Sequence, residues 1–376
     1  SGNNNSSEVL TTLERIAKCS GSHLQVVHDA SIESFSKIGL QGEHQRSNAA
    51  LAFAMCQYAM NQVQHSSTPS MIDMQNALAK TFWPGRCHTV PYPISTMRGS
   101  ERQHHRNLTM NLRCDGAHTP LSIKACIEWF RKSVVNSSNT NMDHASASQH
   151  KFLIFNCGHE RNPIPLIHSL CTSSIIFQTI YFCHADFERP SAVPKRLEEA
   201  WIKEPLEQDI LDGDAVVDVT FQNMCRKLAA DARHNLSIGI NEDGVTNLIA
   251  GSSAFTSSWQ ETLANVWKIV DMYSRHFGRG GTGGDGSEHT LAEHFMRVVT
   301  GLNVKDALTS IQDEVTSSLT IKDSENDDDI IHPSDHKSVV VEVCVTGSLY
   351  IVGSALAAAG WDEGKETDSS RFQLDH

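Results

Sequence analysis

"LRCDGAHTPLSIKACIEWFRK", residues 112–132, decides how the rest of the chain is read. It opens on a strand-like approach, passes a charged and hydroxylated corner from Asp115 to Pro120, and continues as an amphipathic helical pattern. Thr119 before Pro120 is a helix start: the hydroxyl caps the first turn, and proline fits the first helical position, where its missing N–H costs nothing. A strand that turns directly into a helix is the repeating unit of a doubly wound α/β sheet, which binds its ligands outside the carboxyl ends of its strands. Asp115 and His118 sit at such an end.

Working outward, the alternation continues. The strand-like "KFLIFN" (151–156) is followed by the helical "PLIHSLC" (165–171) and the strand-like "IIFQTIYF" (175–182). "KSVVVEVCV" (337–345) leads through "TGSLY" to the helical "IVGSALAAAGW" (351–361). Apolar strands of this kind, buried on both faces and separated by helices, predict a largely parallel, Rossmann-like sheet. Upstream, "IGLQGEHQRSNAALAFAMCQYAM" (38–60) passes from a glycine-containing turn into an Ala-rich helix, and "MIDMQNALAKT" (71–81) predicts a second. "FWPGR" (82–86) ends regular structure, so a domain boundary falls near residue 80. Four polar stretches, near 87–111, 133–150, 188–257 and 322–337, contain too little apolar content to pack and are expected as exposed insertions.

At 376 residues the chain is long enough for more than one folding unit, and its net charge of −13 disfavours nucleic acid and anionic membranes as partners. The longest apolar run, "LYIVGSALAAAGW", is well short of the roughly 20 residues a membrane span needs. Ten cysteines lack both a CxxC pair and a framework spacing, which points to reduced thiols in the cytosol or a similar compartment. "GRGGTGGDG" (278–286) satisfies G-x-G-x-x-G, but it lies between two helical patterns and reads as a linker. The chain contains no G-x-x-x-x-G-K-[ST] phosphate-binding loop. Cys157, His159, Cys183 and His184 fit no zinc-ligand spacing, and no residue is assigned to a metal.

Three stretches, "GEHQRSNAA" (42–50), "FWPGR" (82–86) and "DGAHTP" (115–120), in this order and followed by "LIFN" and "VTGSLY", resemble the folylpolyglutamate synthases of the muramyl-ligase-like superfamily. The resemblance implies that residues 1–80 end the family's central ATPase domain and residues 81–376 form its C-terminal α/β ligase domain. The family's first half, with the phosphate-binding loop, the Mg²⁺ ligands and most of the folate pocket, has no counterpart in this chain. The implied reaction joins L-glutamate to the γ-carboxylate of tetrahydrofolate at the expense of ATP, through an acyl phosphate. The chain by itself is expected to be inactive. A non-catalytic nucleotide- or folate-binding domain and a dihydrofolate synthase are the alternatives.

Site residues are carried over position by position. Asn48 corresponds to an adenine contact, for which a carboxamide is suited because it donates and accepts; a helix-terminal polar cluster capping its own backbone is the other reading. Arg86 corresponds to an arginine on ATP phosphate, a role that suits a guanidinium; a solvated arginine is the default for a lone one. Asp115 corresponds to an ATP-binding residue, and His118 to a group that orients glutamate or phosphate near the reacting atoms. Ser348, at a second strand-to-helix corner, stands equally as an amino-acid contact or a simple cap. ATP and Mg²⁺ are the implied cofactors, the latter with ligands outside this chain. The expected state is a cytoplasmic monomer, with a mitochondrial location also open.

Overall fold

The computed structural model describes residues 7–28, 37–62, 69–94, 108–139, 148–158, 161–186, 258–277, 296–324 and 339–362. Six strands, β1 (His88–Tyr92), β2 (Leu108–Asp115), β3 (Ser148–Phe155), β4 (Thr179–His184), β5 (Arg297–Asn303) and β6 (Val339–Thr346), form one sheet in the order β1-β2-β6-β3-β4-β5. All pairings are parallel except that of β1, which runs antiparallel to β2 at the edge. The doubly wound, largely parallel α/β fold is therefore present.

Helices cover both faces. On one side α4 (Pro120–Asn139), α5 (Pro163–Cys171) and α6 (Trp259–Phe277) bury Ile123, Phe130, Ile167 and Trp267 against Leu153, Phe155 and Phe182. On the other, α7 (Val304–Ser324) and α8 (Leu349–Ala358) bury Leu308, Ile311, Ile351 and Ala355 against Leu112, Phe152, Ile154 and Val343. Side chains alternate along each strand, so Ile154 and Phe155, neighbours in sequence, serve opposite cores. That double burial makes these strands continuous apolar runs.

The helix starts follow local chemistry. Thr119 Oγ1 accepts from the Ser122 N–H (3.2 Å), and the Ser122 hydroxyl in turn accepts from the Thr119 N–H (2.9 Å), ahead of Pro120. Asn162 caps α5, with proline in its first turn, and Ser348 caps α8, its Oγ accepting from the Ile351 N–H (3.3 Å).

Ahead of the sheet lie α1 (Ser7–Ser20), α2 (His44–Gln62) and α3 (Met71–Lys80). Their core is small, with Val27, Ala49, Ala50 and Phe53 buried, while Tyr58 and Ile72 are 64% and 67% exposed. Gly39 ties the approach to α2 onto the end of α3: its N–H donates to the Leu78 carbonyl (2.9 Å), and a Cβ there would stand 2.3 Å from the Thr81 carbonyl oxygen.

Several boundaries differ from those the sequence suggests. The stretch expected as an insertion at 87–111 opens on β1, and β2 begins at Leu108; residues 95–107 lie outside the described residues. Pro91 masks the strand, and it is tolerated because β1 is at the edge. The expected insertion at 133–150 is narrower too. Val134, buried one turn beyond Phe130, carries α4 on to Asn139, and β3 begins at Ser148, leaving 140–147 outside the described residues. β4 begins later than its apolar run suggests, at Thr179. The glycine-rich 278–286 and most of the stretches at 188–257 and 322–337 lie outside the described residues, although α7 extends to Ser324. The described element after the glycine-rich segment is a strand, β5, where a helical pattern was expected.

Candidate functional site

β2 and β6 are neighbours, yet the helices that follow them lie on opposite faces of the sheet: α4 on one and α8 on the other. Their connections diverge at the carboxyl ends, the switch point at which sheets of this kind place a ligand crevice. Asp115 and Thr346 end the two strands in register. Two glycines let the walls close up. A Cβ on Gly116 would stand 2.3 Å from Leu349 Cδ2, and one on Gly347 (φ +107°) would stand 2.2 Å from the Asn156 carbonyl oxygen.

The three separated stretches meet beside this crevice. The Cys87 N–H donates to Asp115 Oδ2 (2.8 Å), and the Cys87 thiol donates to the same oxygen (3.3 Å). The Gly116 N–H donates to the Gly85 carbonyl (3.0 Å), so the turn after Pro84 is stitched to the end of β2 by successive residues. Gly85 (φ +74°) has no room for a side chain, because a Cβ would stand 2.4 Å from Val352 Cγ1 on α8. From the third stretch, Gly42 packs against both the His44 ring and the Cys87 sulfur.

Electrostatics bind the same group together. Burial lowers the His44 pKa from its ordinary value, with Asp115 pulling it up and Arg86 pushing it down. Arg86 is half-buried, and its guanidinium has no hydrogen-bond partner among the described residues. Asp115 is 4% exposed, and its Oδ1 likewise has no partner among them. A half-buried cation and a carboxylate oxygen of a largely buried residue, both with hydrogen-bonding capacity to spare, suit a ligand that carries anionic oxygens and hydroxyls.

His118 is half-buried in the same turn. Its Nδ1 is 2.7 Å from the Gly116 carbonyl oxygen, which can only accept, so Nδ1 donates there and Nε2 is left for another partner. Arg161, from the β3–α5 connection, donates to the His118 carbonyl (3.3 Å). Asn48 is exposed and donates to Gln45 Oε1 (2.9 Å); one helical turn beyond His44, it projects from the same side of α2. Ser348 caps α8 at the β6 corner.

Between residues 38–46 and α4 runs a cleft of about 380 Å³ lined by Gly42, His44, Arg46, Trp129 and Lys132, among others. The Trp129 Nε1–H donates to Gln41 Oε1 (2.9 Å), and Lys132 pairs with Glu43 (3.5 Å), which ties the segment before α2 to the sheet's helical layer. Cys157 and Cys183 are buried, and His159 lies outside the described residues. Among the described residues there is no group of three His, Cys, Asp or Glu side chains able to hold a metal ion. Nor is any described helix long and apolar enough to cross a membrane.

His44, Cys87 and Arg161 were not singled out from the sequence. The available signal was adjacency: His44 lies within "GEHQR", and Cys87 directly follows Arg86.

No family model matches the chain. Among characterised proteins it is similar to folylpolyglutamate synthase of Arabidopsis thaliana, with 27% identity over 247 residues, covering 59% of this chain and 40% of that protein. The chain is similar to folylpolyglutamate synthases over part of their length. The mitochondrial folylpolyglutamate synthases of Bos taurus and Homo sapiens are 32% and 31% identical over 153 residues, covering 35% of this chain and 23% of each protein. It thus spans about two fifths of the Arabidopsis folylpolyglutamate synthase and under a quarter of the mammalian ones. The folylpolyglutamate synthase of Mycobacterium tuberculosis, solved with ADP and AMPPCP, aligns with 86% of this chain and 41% of that one, at 15% identity and a TM-score of 0.37.

Proposed function

We propose that this chain contributes the C-terminal part of an ATP-dependent ligase that joins L-glutamate to the γ-carboxylate of a folate. The observation that carries the reading is the meeting of Gly42–His44, Gly85–Cys87 and Asp115–His118 around one carboxylate, Asp115. Residues 1–80 then end a central ATPase domain, and residues 81–376 form the C-terminal ligase domain with its insertions.

Each residue has a stated task. Arg86 pairs with phosphate oxygens through its planar guanidinium fork. Asp115 Oδ1 accepts from a nucleotide hydroxyl, and Asn48 meets the adenine with its amide. His118 offers Nε2 to the incoming amino acid or to phosphate, and Ser348 lines the β6 side of the crevice while capping α8. The contribution is positioning and charge neutralisation, the main sources of rate in phosphoryl transfer.

Mg²⁺ finds no set of His, Cys, Asp or Glu ligands among the described residues. Without a phosphate-binding loop in its sequence, the chain is proposed to be inactive alone. Folate, L-glutamate and ATP are the proposed small-molecule partners of a monomer in a cytoplasmic setting, with a mitochondrial one also open in keeping with the names of the mammalian relatives.

Alanine at Arg86 or Asp115 tests the reading through MgATP affinity measured by calorimetry. Each is expected to weaken binding about tenfold, the equivalent of one charge-assisted hydrogen bond at the lower end of its range. Unchanged affinity in both variants would refute the assignment.

A further inference from the structure

Cys87 joins all three stretches, and none of the roles above uses it. It is 2% exposed, and it is the one non-glycine residue with positive φ, +46°, among the described residues. A residue with a Cβ keeps that conformation only where its surroundings enforce it, and such positions gather at functional sites. Its N–H and its thiol both donate to a single oxygen, Asp115 Oδ2, at 2.8 and 3.3 Å. On its other side the sulfur packs on Gly42, where an added methyl group would stand 3.1 Å from Sγ and 2.7 Å from the His44 ring. Burial first, and then the Asp115 carboxylate, push the thiol far above its ordinary pKa, so it remains a protonated donor.

We propose that Cys87 is a positioning residue: by filling Oδ2 with two donors it presents Oδ1 of Asp115 to the ligand and fixes that oxygen relative to the Arg86 guanidinium one residue away. This rests on reading Asp115 and Arg86 as nucleotide contacts. Asp115 then meets a nucleotide hydroxyl through one oxygen, at an angle set by the Gly85–Cys87 turn and not by its own free torsions. The strained backbone has a purpose on this account, because it brings the amide and the thiol of one residue to the same acceptor.

The test compares wild type with Cys87→Ala, Cys87→Ser and Cys87→Gly in the full 376-residue chain, reading MgATP affinity by calorimetry and thermal unfolding by circular dichroism. Cys87→Ala removes the thiol donor and is expected to weaken binding about fivefold, the usual worth of one hydrogen bond. Cys87→Ser restores a donor and should bind within about twofold of wild type. Cys87→Gly also lacks the donor but relieves the backbone strain, which offsets part of its lost burial, so its melting temperature should fall less than that of Cys87→Ala while its affinity falls about fivefold as well. A merely structural role would move the two readouts together. Cys87→Gly also keeps the proposal decidable if Cys87→Ala does not fold. Wild-type affinity in Cys87→Gly, or affinity losses that track the melting temperatures across the three variants, overturns the proposal alone. A wild-type chain that does not bind MgATP overturns the nucleotide reading and this proposal with it.

Discussion

Replacing Glu342 by glutamine should cost far more than its conservative chemistry suggests, and the reason lies under the site. Glu342 in β6 is fully buried, and Arg113 in β2 is 2% exposed. The guanidinium donates from Nε to Oε2 (2.8 Å) and from Nη2 to Oε1 (3.1 Å), while Asn111 Nδ2 donates to Oε1 (3.1 Å) and Arg113 Nη1 donates to Thr89 Oγ1 (2.8 Å). One ion pair thus cross-links β1, β2 and β6, whose ends carry Cys87, Asp115 and Ser348. Glutamine preserves the shape but leaves a buried guanidinium uncompensated, and breaking a buried pair from one side costs about 3–5 kcal/mol. Removing both charges, in Arg113→Met with Glu342→Gln, leaves the Thr89 hydroxyl without its donor and the introduced amide N–H groups without an acceptor, a loss of about 1–3 kcal/mol. The double variant should therefore be more stable than the single one. Urea unfolding followed by tryptophan fluorescence measures both. A Glu342→Gln cost below about 1 kcal/mol, or a double variant as unstable as the two singles summed, would refute the pairing.

Further outcomes are expected. Gly347→Ala combines a φ of +107° with a Cβ 2.2 Å from the Asn156 carbonyl oxygen, so it should destabilise by about 2 kcal/mol or more and distort the β6 corner; thermal unfolding checks this. His44 and His168 both titrate below the ordinary imidazole value of 6.5, burial being the larger cause in each. A depressed folded pKa means the unfolded chain binds the proton first, so their contribution to stability is present above pH 6.5 and is lost as pH falls through the folded values. Melting temperatures at pH 7.5 and 5.5 should show that fall, reduced in His44→Gln. The isolated chain should release no ADP in response to glutamate and folate, and a coupled-enzyme assay that detects such release would overturn the account of inactivity.

Much of the fold was legible because its strands are buried on both faces and its corners carry helix-start chemistry. Thr119 and Pro120 announce α4, and "KFLIFN" and "KSVVVEVCV" announce β3 and the core of β6. What was missed had mixed signals. Pro91 disguised β1, and β5 is "RVVTGLN", only partly buried at the far edge and without clean alternation. The Ser/Asn content after Lys132 hid the last two turns of α4, which Val134 holds by burial. For the site, residue types and order pointed to Asp115 and Arg86. Their meeting depends on contacts 28 residues apart in sequence, Cys87 to Asp115, and no local pattern records those. Ser348 proves to be the cap of α8, which leaves its contact with an amino acid as a proposal.

The most direct test of the central claim is to map MgATP onto the chain by backbone amide chemical shifts in a transverse-relaxation-optimised NMR experiment. The account predicts that shifts concentrate at His44, Arg86, Cys87, Asp115 and Gly116, with α7 and β5 unmoved. Shifts that cluster on α7 and β5, or no shifts at all, would contradict it.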